Sequence, residues 1–228
     1  MSIGFISGTS VSRSPLFQSW ESFSRETEYG RVPFRRQGAL VALNRHGPDG
    51  ITPPHAINHR ANIRFFSDLG VEAIVSLNSV GSLKRDLPPG TLVSCSDYVS
   101  FRPMTFQDRQ ARPVAPRVGN TRIPEISRAC DYPVETGRIY VQTRGPRFET
   151  RAEVRIIRDW GDVVGMTLAH EADLCAESEI DYNSLAIVDN FANGLFEDEF
   201  SHEVFQRQVK RNQAKVDRLL EVLLELYG

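Results

Sequence analysis

Five side chains between Phe148 and Asn190 carry the clearest chemistry in the sequence. Phe148, Glu149, Met166, Thr167 and Asn190 supply an aromatic ring, a carboxylate, a thioether, a hydroxyl and an amide. Each lies at or just past the end of a short apolar run. Tyr140 to Thr143 stops at a Gly-Pro turn, Asp162 to Met166 ends in Gly-Met-Thr, and Leu185 to Val188 ends in Asp-Asn. Runs of this kind read as strands covered on both faces. In chains that alternate strand and helix, the carboxyl ends of the strands open onto the ligand crevice. The five side chains are therefore expected around one cavity, suited to a flat heterocycle attached to something polar.

A second set has the chemistry of an anion site. The strand Ala39 to Leu43 runs into Asn44-Arg45-His46-Gly47. Arg offers planar charged donors and His a further nitrogen donor, a pair that suits phosphate. On the fragment alone, a surface Arg-His pair on a solvated loop is the favoured reading. Ser7-Gly8-Thr9-Ser10 follows the strand Ile3 to Ile6, and small residues there let backbone amides and hydroxyls approach an anion. This loop is neither a P-loop nor a dinucleotide fingerprint, because the required glycines and lysine are missing. Asn78-Ser79-Val80-Gly81 leaves a third strand, Val71 to Leu77.

Gly145-Pro146-Arg147-Phe148-Glu149-Thr150-Arg151-Ala152-Glu153, followed by Gly165-Met166-Thr167, resembles the trimeric purine nucleoside phosphorylase and methylthioadenosine phosphorylase family. The resemblance extends over most of the chain. It implies phosphate-dependent cleavage of the bond between a purine and its sugar, with inorganic phosphate as co-substrate and no cofactor or metal. It assigns phosphate contact to Thr9, Arg45, His46, Ser79 and Thr167. Met166 would lie against the ribose and Phe148 against the base, with Asn78 behind Ser79 on the nucleoside side. Asn190 and Glu149 would handle the leaving purine, and His46 would act with them. His202 falls near the 5′ position of the nucleoside. The family also implies a homotrimer with active sites near subunit interfaces.

This chain departs from the family at three places. Asp49-Gly50 stands where relatives often carry a further histidine, His59 replaces the usual tyrosine of a Val-Asn-Tyr-Arg-Ala-Asn-Ile helix, and the segment from Phe101 to Pro124 is shortened. The Glu149–Asn190 pair points to the base. A 6-oxopurine presents N1–H to a carboxylate and accepts from an amide at O6 or N7, whereas adenine reverses part of this pattern. In the family, Glu and Asn mark 6-oxopurine enzymes. Enzymes for methylthioadenosine tend to carry Asp at the second place and a small hydroxyl residue at the first. Inosine, guanosine or their deoxy forms are the expected substrates. Methylthioinosine, methylthioadenosine, a nucleoside hydrolase, and a silent nucleoside-binding protein remain as alternatives.

These residues need one α/β domain to position them: residues 1–228 as a mixed, mostly parallel central sheet flanked by helices. The chain has 228 residues, enough for one sizeable core. Ile57, Ala61, Phe65 and Leu69 follow helical spacing, and Gly70 stops that helix. Thr150 is placed to cap another, and Ser201 a long final one ending near Tyr227. Glu28 to Gln37 reads as loop or hairpin, Gly90 to Tyr98 as strand, and Phe101 to Pro124 as an irregular loop. A net charge of −2 speaks against nucleic acid or an anionic membrane as partner. Three cysteines without a Cys-x-x-Cys pair fit a reducing cytoplasm. Met1 to Ser7 lacks the pattern of a signal peptide, and no apolar run reaches the length of a membrane span.

Overall fold

Apolar, β-branched runs form the central strands, as expected. In a computed structural model of the chain, β1 (Ile3–Ser7) lies between two parallel neighbours, β4 (Leu40–Asn44) and β5 (Ala73–Ser82), with every β1 residue buried. The structure describes residues 2–8, 11, 14–108, 112–119, 121–196 and 202–228. The other strands are β2 (Glu21–Thr27), β3 (Gly30–Gln37), β6 (Leu92–Val99), β7 (Val134–Gln142), β8 (Val163–Gly165) and β9 (Asp181–Phe191). One nine-stranded sheet joins them in the order β2-β3-β4-β1-β5-β8-β7-β6-β9, and β5 also pairs β9. The last five strands thus close into a ring. Five pairings are parallel and four antiparallel, which matches the expected mixed sheet.

Helices cover both faces. On one, α2 (His59–Asp68) and α5 (Leu168–Glu177) bury Phe65, Phe66, Leu168 and Ala172 against Ile6 and Ile74. On the other, α6 (His202–Tyr227) lays Val216, Leu219, Leu220 and Leu223 against Ile3, Phe5 and Ile187. The shorter helices are α1 (Pro15–Gln18), α3 (Ile123–Cys130) and α4 (Arg151–Ile157). Asn58 Oδ1 caps α2 through Ala61 N at 3.0 Å, and Gly70 turns the chain out at φ +68°. Thr150 caps α4 reciprocally with Glu153, as its position suggested. The proposed cap Ser201 lies outside the described residues.

One strand carried no expectation, and the loop after Phe101 is more ordered than expected. Glu21–Thr27 is a strand, paired with β3 as an outer hairpin. Its side chains are almost all exposed, so no apolar alternation marked it in the sequence. The irregular loop after Phe101 ends at α3, which starts one residue before the Pro124 limit. The earlier part of that loop is docked on α5: Met104 N donates to Asp173 Oδ2 at 2.9 Å, and Phe106 N to Glu177 Oε2 at 2.8 Å. Backbone amides bonded to carboxylates replace the regular ladder there, and periodicity does not report such bonds. Among the described residues no helix is long and apolar enough to cross a membrane.

Candidate active site

A cavity of about 310 Å³ opens where β1, β4, β5, β8 and β9 end. Arg45, His46, Ser79, Phe148, Glu149, Met166, Thr167 and Asn190 all line it, so residues from five separate stretches of sequence meet as expected. Gly8 lines it too, but Thr9 lies outside the described residues, as does the side chain of His202. Asn78 is corrected. Its side chain is not on the cavity wall but one layer behind, where Nδ2 donates to Thr167 Oγ1 at 3.1 Å. Ser76 and Asn78, two apart on β5, share the face that meets Arg45 and α5.

The base end is built by a turn and a bulge. Gly145 turns at φ +67°, and a Cβ there would stand 2.5 Å from Met166 Sδ. Only glycine lets the thioether and the Pro146–Phe148 segment share the wall. Glu149 is buried, and its Oε1 accepts from Thr143 Oγ1 at 2.7 Å. On β9 the register with β5 slips at Asp189: Val188 faces Val80, but Asn190 faces Gly81. Such a bulge re-aims the side chain that follows, and it delivers Asn190 to the cavity. Asn190 Nδ2 donates to Phe191 O at 2.8 Å, which fixes the amide plane.

At the anion end Arg45 is more committed than its sequence neighbours suggested. Its side chain is 1% exposed. Nε donates to Glu171 Oε1 at 2.6 Å, Nη2 to Ser76 Oγ at 2.7 Å and to Glu171 Oε2 at 3.3 Å, and Nη1 to Leu77 O at 2.9 Å. A guanidinium has five N–H donors, so among the described residues one has no partner, on the Nη1 that approaches Gly8. Burial disfavours both charges of the Arg45–Glu171 pair, but their mutual attraction outweighs it and holds both ionised. The charge of Arg45 is therefore already balanced by Glu171, and most of its donors are engaged within the protein.

His46 Nδ1 lies 2.7 Å from Thr52 O. That carbonyl fixes the tautomer, so Nδ1 carries the hydrogen and Nε2 is the ring's acceptor. Burial first, and the Arg45 charge second, lower its pKa and keep the ring neutral. Thr167 Oγ1 accepts from Asn78 Nδ2 and also hydrogen-bonds the Tyr140 hydroxyl. The amides of Thr167 and Leu168 go to the Tyr140 hydroxyl, and that of Ala169 to Gln142 Oε1.

A family model described as the phosphorylase superfamily matches residues 2–225. This chain belongs to that superfamily. A probable S-methyl-5′-thioinosine phosphorylase of Methanocaldococcus jannaschii is 36% identical over 99% of this chain and 92% of its own length. A probable 6-oxopurine nucleoside phosphorylase of Dictyoglomus turgidum is 35% identical over 98% and 91%. In fold, the chain resembles a methylthioadenosine phosphorylase from Schistosoma mansoni solved with adenine, at a TM-score of 0.82 and 24% identity over 99% of this chain and 91% of that one. The resemblance carried by the Gly145 to Thr167 motifs holds, and the chain is a pentosyltransferase of the nucleoside phosphorylase type.

Within this phosphorylase, sequence reasoning missed the buried polar cluster under the anion site. Glu171 Oε2 also accepts from Ser76 Oγ at 2.8 Å and Tyr182 OH at 2.7 Å. Buried polar residues on α5 and β9 gave no chemical spacing to read, and Glu171 sits beside His170 and Asp173, so nothing local set it apart as buried. His59, which stands in place of the family's tyrosine, is buried, 2% exposed. It packs edge-on to His170 and 3.9 Å from Glu171, away from the cavity. Gly50 does line the cavity, so the histidine absent at that position leaves space in the wall.

Proposed function

We propose that this phosphorylase cleaves 6-oxopurine nucleosides with inorganic phosphate, giving the free base and a sugar 1-phosphate. The observation that carries the reading is the meeting of Glu149 and Asn190 at one cavity through the turn at Gly145 and the bulge at Asp189. Glu149 accepts from purine N1–H, and Asn190 donates to O6 or N7 as negative charge develops on the leaving base. Phe148 packs on the base, and Met166 lies against the ribose and excludes water. Arg45, His46, Ser79, Thr167 and Thr9 hold phosphate below C1′, which turns a collision into a positioned attack. Asn78 acts through Thr167, and His202 belongs to the 5′ side.

A second reading concerns the 5′ group. Ile51, Pro53, Pro54 and Val80 give the cavity an apolar rim, and the Methanocaldococcus relative is named for methylthioinosine, also a 6-oxopurine nucleoside. Both features favour a 5′-methylthio substrate over a 5′-hydroxyl one. The family resemblance further supports a homotrimer in the cytoplasm. Phe101, Ile156 and Trp160 are large exposed apolar residues in keeping with such an interface.

The test is base release from inosine and methylthioinosine, each with and without phosphate. Phosphate-dependent release from either supports the reading, and their ratio of kcat/KM reports the 5′ pocket. Release at the same rate without phosphate identifies a hydrolase instead. Binding of both nucleosides with no release identifies a silent binder.

A further inference from the structure

A polar side chain interrupts the apolar face of α6. Val209, Val216, Leu219, Leu220 and Leu223 are buried along that face, and Asn212 falls among them at 3% exposure. A buried amide costs stability unless its groups are bonded. Asn212 Nδ2 donates to Asp189 Oδ1 at 2.7 Å and to Val188 O at 3.3 Å. Val188 is the last residue of β9 in its first register with β5, and Asp189 is the extra residue of the bulge. One amide nitrogen thus straps the two residues between which the register slips. Asp189 is itself buried and stands off the cavity wall. Burial raises the pKa of its carboxyl, and the hydrogen bonds from Ser79 and Asn212 oppose that rise and favour the ionised acceptor.

The slip decides where Asn190 stands. Without it, the pairing of Val188 with Val80 would continue to Asp189 with Gly81 and Asn190 with Ser82. Gly81 is on the cavity wall and Ser82 is not, and one residue along a strand is about 3.3 Å. A displacement of that size takes a donor out of hydrogen-bond reach of the atom it serves. A bulge leaves its extra residue without a place in the ladder, so side-chain bonds must hold that residue instead. We propose that Asn212 is a positioning residue of the reaction: from α6 it holds Asp189 in the bulge, and the bulge holds Asn190 at the leaving base. The proposal rests on the role given to Asn190 above.

The experiment is a double-mutant cycle on kcat and on KM for phosphate, with inosine or methylthioinosine, whichever is released faster. The variants are Asn212→Leu, Asn190→Ala and the two combined; Asn212→Leu keeps the shape of the side chain and removes the donor. The expected result is a kcat about 10- to 100-fold lower for Asn212→Leu alone, and less than about twofold lower when it is added to Asn190→Ala. KM for phosphate stays within about twofold throughout. An equal loss in both backgrounds belongs to a merely structural residue and overturns the proposal. So does a loss carried by KM for phosphate, which would run through Ser79, and so does a kcat that Asn212→Leu leaves unchanged. In each of those cases a large loss in Asn190→Ala keeps the reading beneath intact, whereas no loss in Asn190→Ala overturns both. Asn212→Ala, which adds no bulk, runs the same cycle if Asn212→Leu lacks a cooperative unfolding transition.

Discussion

Asn190 and Glu149 present opposite polarity to the same ligand, and each yields a separate prediction. Removing the amide in Asn190→Ala takes away a donor to the departing purine, and kcat is expected to drop about 100- to 1,000-fold. Turnover close to that of the unmodified enzyme would show that the amide has no such part. Changing it in Asn190→Asp replaces the donor by an acceptor that suits a 6-amino group. Preference should then move toward 6-aminopurines, by the roughly 1–3 kcal/mol that a mismatched buried polar group costs. Unchanged discrimination in steady-state assays would assign the choice of base to Glu149 alone. Asn190 was legible in the sequence as an amide at a strand end. The bulge that aims it was not, because slipping register by one residue leaves no mark in an unbroken apolar run.

At the scale of elements, α5 ties the anion site to the core. Glu171 sits in its first turn and meets Arg45 just past β4, Ser76 from β5 and Tyr182 from β9. Taking away one partner leaves a buried charge without compensation. Glu171→Ala is expected to cost about 3–5 kcal/mol, read from denaturant unfolding. A loss under about 1 kcal/mol would mean that water already screens the pair. His59 on α2 adds a pH dependence. Burial lowers its pKa to about 3 in the fold, against about 6.5 when unfolded. Between those values the unfolded chain binds the extra proton, so stability is lost as pH falls through that window, by up to about 1.4 kcal/mol per pH unit. His59→Phe should flatten the drop in Tm from pH 6 to pH 4, and an unchanged slope would place the acid sensitivity elsewhere. Periodicity identified α2 nearly to its ends, but His59 lies outside the apolar stripe of Ile57, Ala61, Phe65 and Leu69 and is buried all the same. A helix approached on one side by α5 buries a wider face than its apolar stripe alone.

At the scale of the whole molecule, one sheet gathers the carboxyl ends of strands far apart in sequence around a single crevice. That gathering was legible because each site residue follows an apolar run, and alternating strands and helices send those ends to one side. Less legible was the balance of charge. Arg45 beside His46 read as a strongly positive anion site, yet Glu171, distant in sequence, neutralises the arginine and a backbone carbonyl takes the histidine's donor. Partners of this kind come from tertiary packing, and no local spacing announces them. The choice of base, by contrast, depends on two residues whose chemistry is visible in the sequence and whose meeting is visible in the fold. The most direct test compares kcat/KM for methylthioinosine and methylthioadenosine in saturating phosphate, because the two differ only in the base. Efficiency at least tenfold higher with methylthioinosine is the predicted result, equivalent to about 1.4 kcal/mol. Equal efficiency, or a preference for methylthioadenosine, would contradict the roles given to Glu149 and Asn190.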